Sequence, residues 1–253
     1  LDSLNVVLSD YDITQSYMIL GGVPFYLGYF ERGLSLAQTV DKLFFKQNAK
    51  LKDEYDRLFE SGITNPQAMK TLVKYLSQKN AGYTRKEICQ DLKITDSGHL
   101  SKNLKALIAS DFVIEYVPFG MGKRDVHYRL TDPFCKFCLK FVNGKTSMDD
   151  EFWQQNITSP SINSWRGFAF ENVCFNHIGK IKDALGISGV ITSQSAWSKR
   201  AEEDNSDGAQ IDMIINRNDN VINMCEMKFY SGDFTVDKSY HTTLINRQKL
   251  LST

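Results

Sequence analysis

Residues Ala209 to Phe229 read AQIDMIINRNDNVINMCEMKF, two apolar runs around a polar turn. Each run carries an acid where a buried strand should have none. Alternate residues of a strand face opposite sides. Ile222, Met224, Glu226 and Lys228 therefore share one face, and Asn223, Cys225, Met227 and Phe229 the other. Asn and Asp suit a three-residue turn at Asn218, Asp219 and Asn220, and that turn sets Asp212 directly opposite Glu226. Facing residues hold their Cβ atoms about 4.5–5.5 Å apart, where like charges are destabilising. Such a pair needs a cation. Lys228 is one candidate, and a divalent ion is a better one, because two carboxylates at that spacing form a hard oxygen site of the kind Mg²⁺ takes. A turn one residue longer or shorter would put the two acids on opposite faces. The plainer alternative is a solvated Glu226–Lys228 ion pair, worth roughly 0–1 kcal/mol.

A third acid precedes the hairpin. In RGFAFENVCFNHIGKI, helical spacing gathers Phe168, Phe170, Cys174, Phe175, Ile178 and Ile181 on one arc, with Asn172, Asn176, Gly179 and Lys180 on the other side. Glu171 falls within the apolar arc. A lone buried carboxylate is costly unless paired or metal-bound, so Glu171 is expected to face the sheet.

The whole chain of 253 residues has zero net charge and 42% hydrophobic residues, the composition of a globular protein rather than a disordered one. No apolar run approaches the roughly 20 residues that span a membrane. The start, LDSLNVVLSD, has neither the basic lead nor the apolar stretch of a signal peptide and no initiator Met, pointing to a piece of a longer chain. Five irregularly spaced cysteines predict reduced thiols and a cytoplasmic setting. Charge is uneven: Thr64–Thr131 holds eleven Lys and Arg against six Asp and Glu. An electrostatic footprint for nucleic acid therefore belongs in the middle of the chain.

The fold class expected is α+β and multidomain. Residues 1–63 form a helical segment in which Pro24 opens a helix after the Gly21–Gly22 break. Residues 64–145 hold three helical patterns, PQAMKTLVKYLSQ, TRKEICQDLK and TDSGHLSKNLKALIAS, followed by a hairpin around Gly120–Gly122. Thr84 and Glu87 make a capping box, and Thr95 or Asp96 can cap the third helix. Three such helices with a terminal hairpin describe a winged helix-turn-helix. Its third helix presents Ser97, Ser101, Lys102 and Lys105, with Lys123 and Arg124 at the wing tip, to DNA. A winged helix used only for protein contacts is the competing reading. CKFC at Cys135–Cys138 lacks a partner pair at zinc-finger spacing, so buried thiols in a core helix are expected.

Glu171, Asp212, Glu226 and Lys228, standing as FAFENV, QIDMII and CEMK, resemble the PD-(D/E)XK (restriction-endonuclease-like) nuclease superfamily. The resemblance implies that residues 146–253 form an α/β nuclease domain with catalytic Glu171, Asp212, Glu226 and Lys228. Mg²⁺ or Mn²⁺ would be held by Asp212, Glu226 and Glu171, while Lys228 positions water and stabilises phosphate charge. The superfamily core has a further strand after the last helix, which this sequence lacks at KLLST. The order GGVPFYL, helices, winged helix, then FAFENV, QIDMII and CEMK is similar to the C-terminal part of archaeal-type AAA ATPases that also occur in bacteria, with GGVPFYL in the helical lid. ATP would belong to the missing core of that parent, since GMGKRD is no phosphate loop. The expected partners are DNA and that ATPase core, with no membrane. The expected function is metal-dependent DNA phosphodiester hydrolysis; the alternative is a non-catalytic DNA- or protein-binding module of the parent ATPase.

Overall fold

In the computed structural model, the structure describes residues 6–60, 65–144, 149–199 and 208–252. The expected boundaries near 63/64 and 145/146 lie outside these. The chain is α+β, with two small antiparallel sheets, and divides into two compact units. One comprises Leu1–Ile114 and Tyr128–Ala169, the other Glu115–His127 and Phe170–Thr253.

The first unit opens with α1 (Asp10–Leu20), α2 (Pro24–Leu27), α3 (Leu36–Phe44) and α4 (Glu54–Glu60). Helix α1 stops where Gly21 takes a left-handed φ of 70°, and Pro24 starts α2 with its fixed φ. Then come α5 (Pro66–Leu76), β1 (Tyr83–Thr84), α6 (Arg85–Asp91), α7 (Gly98–Ala109), β2 (Val113–Tyr116) and β3 (His127–Leu130), the strands ordered β1-β3-β2. The Thr84/Glu87 capping box opens α6 as expected. Neither Thr95 nor Asp96 caps α7. Its cap residue is Ser97, without a side-chain bond, because Asp96 is drawn to Arg85, whose Nε donates to it at 2.7 Å.

Helix α8 (Pro133–Phe137) continues as a π-helical turn at Cys138–Val142, followed by α9 (Phe152–Asn156). CKFC is indeed core: both thiols are free and fully buried. Around them Phe137, Phe141, Trp153 and Trp165 meet edge to face at centroid distances of 5.2–5.7 Å, and each such pair adds roughly 0.5–1.5 kcal/mol beyond its burial. Asp41 of α3, wholly buried, accepts the backbone N–H groups of Trp153 at 2.7 Å and Gln154 at 3.1 Å, so it caps α9 from a distant part of the chain.

The last of the divisions between units falls within α10 (Pro160–Asn176); the earlier two cut β2 after Ile114 and β3 after His127. This helix starts earlier than the sequence pattern suggested and breaks at His177, after which α11 (Ile178–Ala184) begins. Its buried face is also rotated from the expected one. Phe168 is 49% exposed while Asn172 is 1% exposed, because Ile162, Trp165, Ala169 and Phe175 set the inward stripe. The second unit holds β4 (Thr192–Lys199), β5 (Ala209–Arg217) and β6 (Ile222–Cys225), in that spatial order, and α12 (Lys238–Leu251).

Candidate active site

The β5–β6 hairpin turns through Asn218, Asp219 and Asn220. Arg217 N–H donates to Val221 O at 3.0 Å, and Asn220 takes the left-handed φ of 63° that Asn tolerates. Pairing runs from Asn216 with Ile222 to Met213 with Cys225. Asp212 and Glu226 follow just beyond the last pair, where the ladder stops, and are near enough for the charge of Glu226 to act on Asp212. Oδ2 of Asp212 accepts the N–H of Met227 at 2.9 Å, so a carboxylate replaces the next strand-to-strand bond.

Glu226 is enclosed, its side chain 11% exposed. Tyr240 Oη donates to Oε2 at 3.0 Å and Lys228 Nζ stands 3.5 Å from the same oxygen. Arg247 Nη1 lies 2.5 Å from Oε1 and forms an ion pair with it. Lys228 Nζ also sits 5.4 Å from the centre of the Tyr240 ring. Tyr240 and Arg247 both belong to α12, and with Leu244 between them they recur at helical spacing on its half-buried side.

These contacts polarise the site. Burial pushes the Asp212 carboxyl above its ordinary value; the Met227 N–H opposes this, the charge of Glu226 adds to it, and Lys228 and Arg247 partly offset it. Burial alone would lower the Lys228 ammonium, but the contact with Tyr240 and the charges of Asp212 and Glu226 carry it above the usual lysine range. Lys228 is thus a fixed positive charge at neutral pH.

Glu171 lies on α10, half-buried. Phe170 stacks on Phe229 at 5.3 Å, and Gln194 Nε2 donates to Phe175 O at 3.2 Å. Gln194, paired with Ile215, points away from the Asp212 face by strand alternation, so the end of α10 meets that opposite face. Cys174, pushed up to about 12 first by burial, also feels Glu171, Cys225 and Asp212. Among the described residues no three His, Cys, Asp or Glu side chains are grouped to hold a metal. Asp212 and Glu226 are near enough for the charge of Glu226 to act on Asp212. In donor chemistry they fit Mg²⁺ or Mn²⁺: two hard oxygen groups, one at the end of β5 pairing and one just past β6.

In the first unit, Lys102 and Lys105 are exposed on α7. The Ser101 hydroxyl is occupied: Arg85 Nη2 donates to Ser101 Oγ at 2.9 Å and also to the backbone carbonyl of Ser97 at 3.2 Å. Beside Lys102, residues His99 and Asn103 line a groove of about 930 Å³ between α5 and α7 with Leu72 and Ile94; the sequence pattern did not single them out. In the second unit Lys123 and Arg124 are exposed on the β2–β3 loop, which is pinned by Gly122 N–H donating to Asp125 at 3.0 Å.

No family model, curated protein or solved structure matches this chain. Among the described residues no helix is long and apolar enough to cross a membrane.

Proposed function

We propose that the second unit is a metal-dependent phosphodiesterase of PD-(D/E)XK nuclease type, acting on DNA. Residues 64–145 would serve as a winged-helix DNA-binding module in the C-terminal part of an ATPase. The observation that carries this reading is the nearness of Asp212 and Glu226 just beyond the last β5–β6 pair, with Lys228 3.5 Å from Glu226. Asp212 and Glu226 would hold Mg²⁺ or Mn²⁺. When bound, the ion polarises a phosphoryl oxygen and acidifies water. Lys228 supplies a positive charge where the phosphate becomes more negative. Tyr240 holds Glu226 in place through its hydroxyl. The test is cleavage of duplex and single-stranded DNA in Mg²⁺ or Mn²⁺. Glu226→Gln and Lys228→Ala should each abolish it, and undiminished activity in both would rule the assignment out.

A second reading is supported by Arg247. With Arg247, Lys228 and Tyr240 around Glu226, its charge is already balanced without metal. A non-catalytic recognition module of the parent ATPase would keep such a closed cluster. It predicts nucleic-acid or protein binding that is indifferent to chelators and survives Asp212→Asn.

A further inference from the structure

From Glu226 to Asp237 the chain has no regular structure, yet it carries two large rings on the surface. Tyr230 is 60% exposed and Phe234 41% exposed. A single exposed ring is ordinary. These two are in contact, with centroids 5.3 Å apart, and Phe234 in turn meets Tyr240 edge-on at 5.5 Å. Tyr240 donates to Glu226, and Lys228 lies against its ring. Three rings thus run in unbroken contact from solvent to the carboxylate pair.

The chemistry beside this path is mixed but ordered. Lys228 and Arg247 flank its inner end, and Lys238 and His241 are exposed on the first turns of α12. Both acids in the segment, Asp233 and Asp237, are exposed, and Asp237 is engaged in capping α12, accepting Tyr240 N–H at 2.7 Å. Exposed rings next to cations are what unpaired bases and their phosphates recognise together. A duplex hides its base faces in its own stack and offers such rings nothing.

We infer that Tyr230 and Phe234 form a stacking platform for the bases of single-stranded nucleic acid, leading its backbone toward Glu226 and Lys228. This rests on reading the site as one that handles a phosphodiester chain. The platform chooses by strandedness rather than by base, since every base has a ring face to offer.

The test uses the whole chain with chelator present, so that no hydrolysis occurs. Fluorescence anisotropy compares a labelled oligo-dT, an oligo-rU of equal length and a blunt duplex. The double variant Tyr230→Ala/Phe234→Ala should lose at least tenfold in affinity for the single strands and keep its duplex affinity. Replacing both rings by Trp should restore single-strand binding. Comparing dT with rU distinguishes a DNA from an RNA ligand. Failure of wild type to bind either single strand, or double-variant affinity equal to wild type, overturns the platform. Because cleavage is not read, a platform that binds single strands stands even if no metal-dependent cleavage is found.

Discussion

Arg247 of α12 and Glu226 beyond β6 approach to 2.5 Å, so the closing helix, not the hairpin alone, completes the charge balance around the two acids. Removing the guanidinium strands a carboxylate in a largely dry place. Arg247→Ala is expected to cost about 1–3 kcal/mol in urea denaturation. If the two acids bind metal, millimolar Mg²⁺ or Mn²⁺ should restore part of that loss in the variant and less in wild type.

Asp212 gives a pH signature. Its folded-state pKa is raised, with burial as the leading cause. A raised carboxyl contributes stability that is complete below its unfolded pKa and lost as pH rises through the folded one. Asp212→Asn keeps an acceptor for Met227 N–H and removes the charge. The variant should therefore be more stable than wild type at pH 7, with the gain shrinking as pH is lowered toward about 4, near the unfolded value. Paired denaturation curves at the two pH values measure it, and a gain that grows on acidification contradicts the burial account.

Asp41 holds α9 in place through two backbone N–H groups and the Gln154 amide. Asp41→Ala leaves buried donors unmet and should cost roughly 2–4 kcal/mol. Asp41→Asn, which retains an acceptor oxygen, should cost distinctly less in the same guanidinium titration.

Gly82 takes a φ of +73°, and a methyl group there would stand 2.3 Å from the Tyr128 carbonyl. Gly82→Ala is expected to lower stability by more than about 1 kcal/mol, read as a fall in Tm. A neutral outcome would mean that β3 can shift away at little cost.

If α7 touches phosphates, Lys102→Ala and Lys105→Ala should each reduce the slope of log K against log salt by about 1 for duplex DNA. Ser101→Ala should leave that slope unaltered, because Arg85 already holds the hydroxyl.

The hairpin was legible because strand alternation is strict and an Asn-Asp-Asn turn fixes its length; the nearness of Asp212 and Glu226 follows from counting along it. The Thr84 box and the buried CKFC thiols were legible for equally local reasons. Tyr240 and Arg247 were not, since α12 has no buried residue to mark its inner side. Their recurrence with Leu244 at helical spacing was the available signal. Phe168 and Asn172 misled because α10 continues upstream to Pro160, and its earlier turns set the rotation of the whole helix. Asp41 left no trace in its own neighbourhood: its partners lie more than a hundred residues away.

The split of the chain also governs how it can be dissected. Phe119, on the β2–β3 loop, donates its N–H to Ala196 O at 3.1 Å and clusters with the later residues. Neither unit is one continuous piece of polypeptide. A fragment expressed from residue 149 onward would start without Phe119 and leave the β4 carbonyl at Ala196 bare. Poor solubility or silence in an assay of that fragment would reflect where the scissors fell, and only intact chains carrying point substitutions can decide what the acids do.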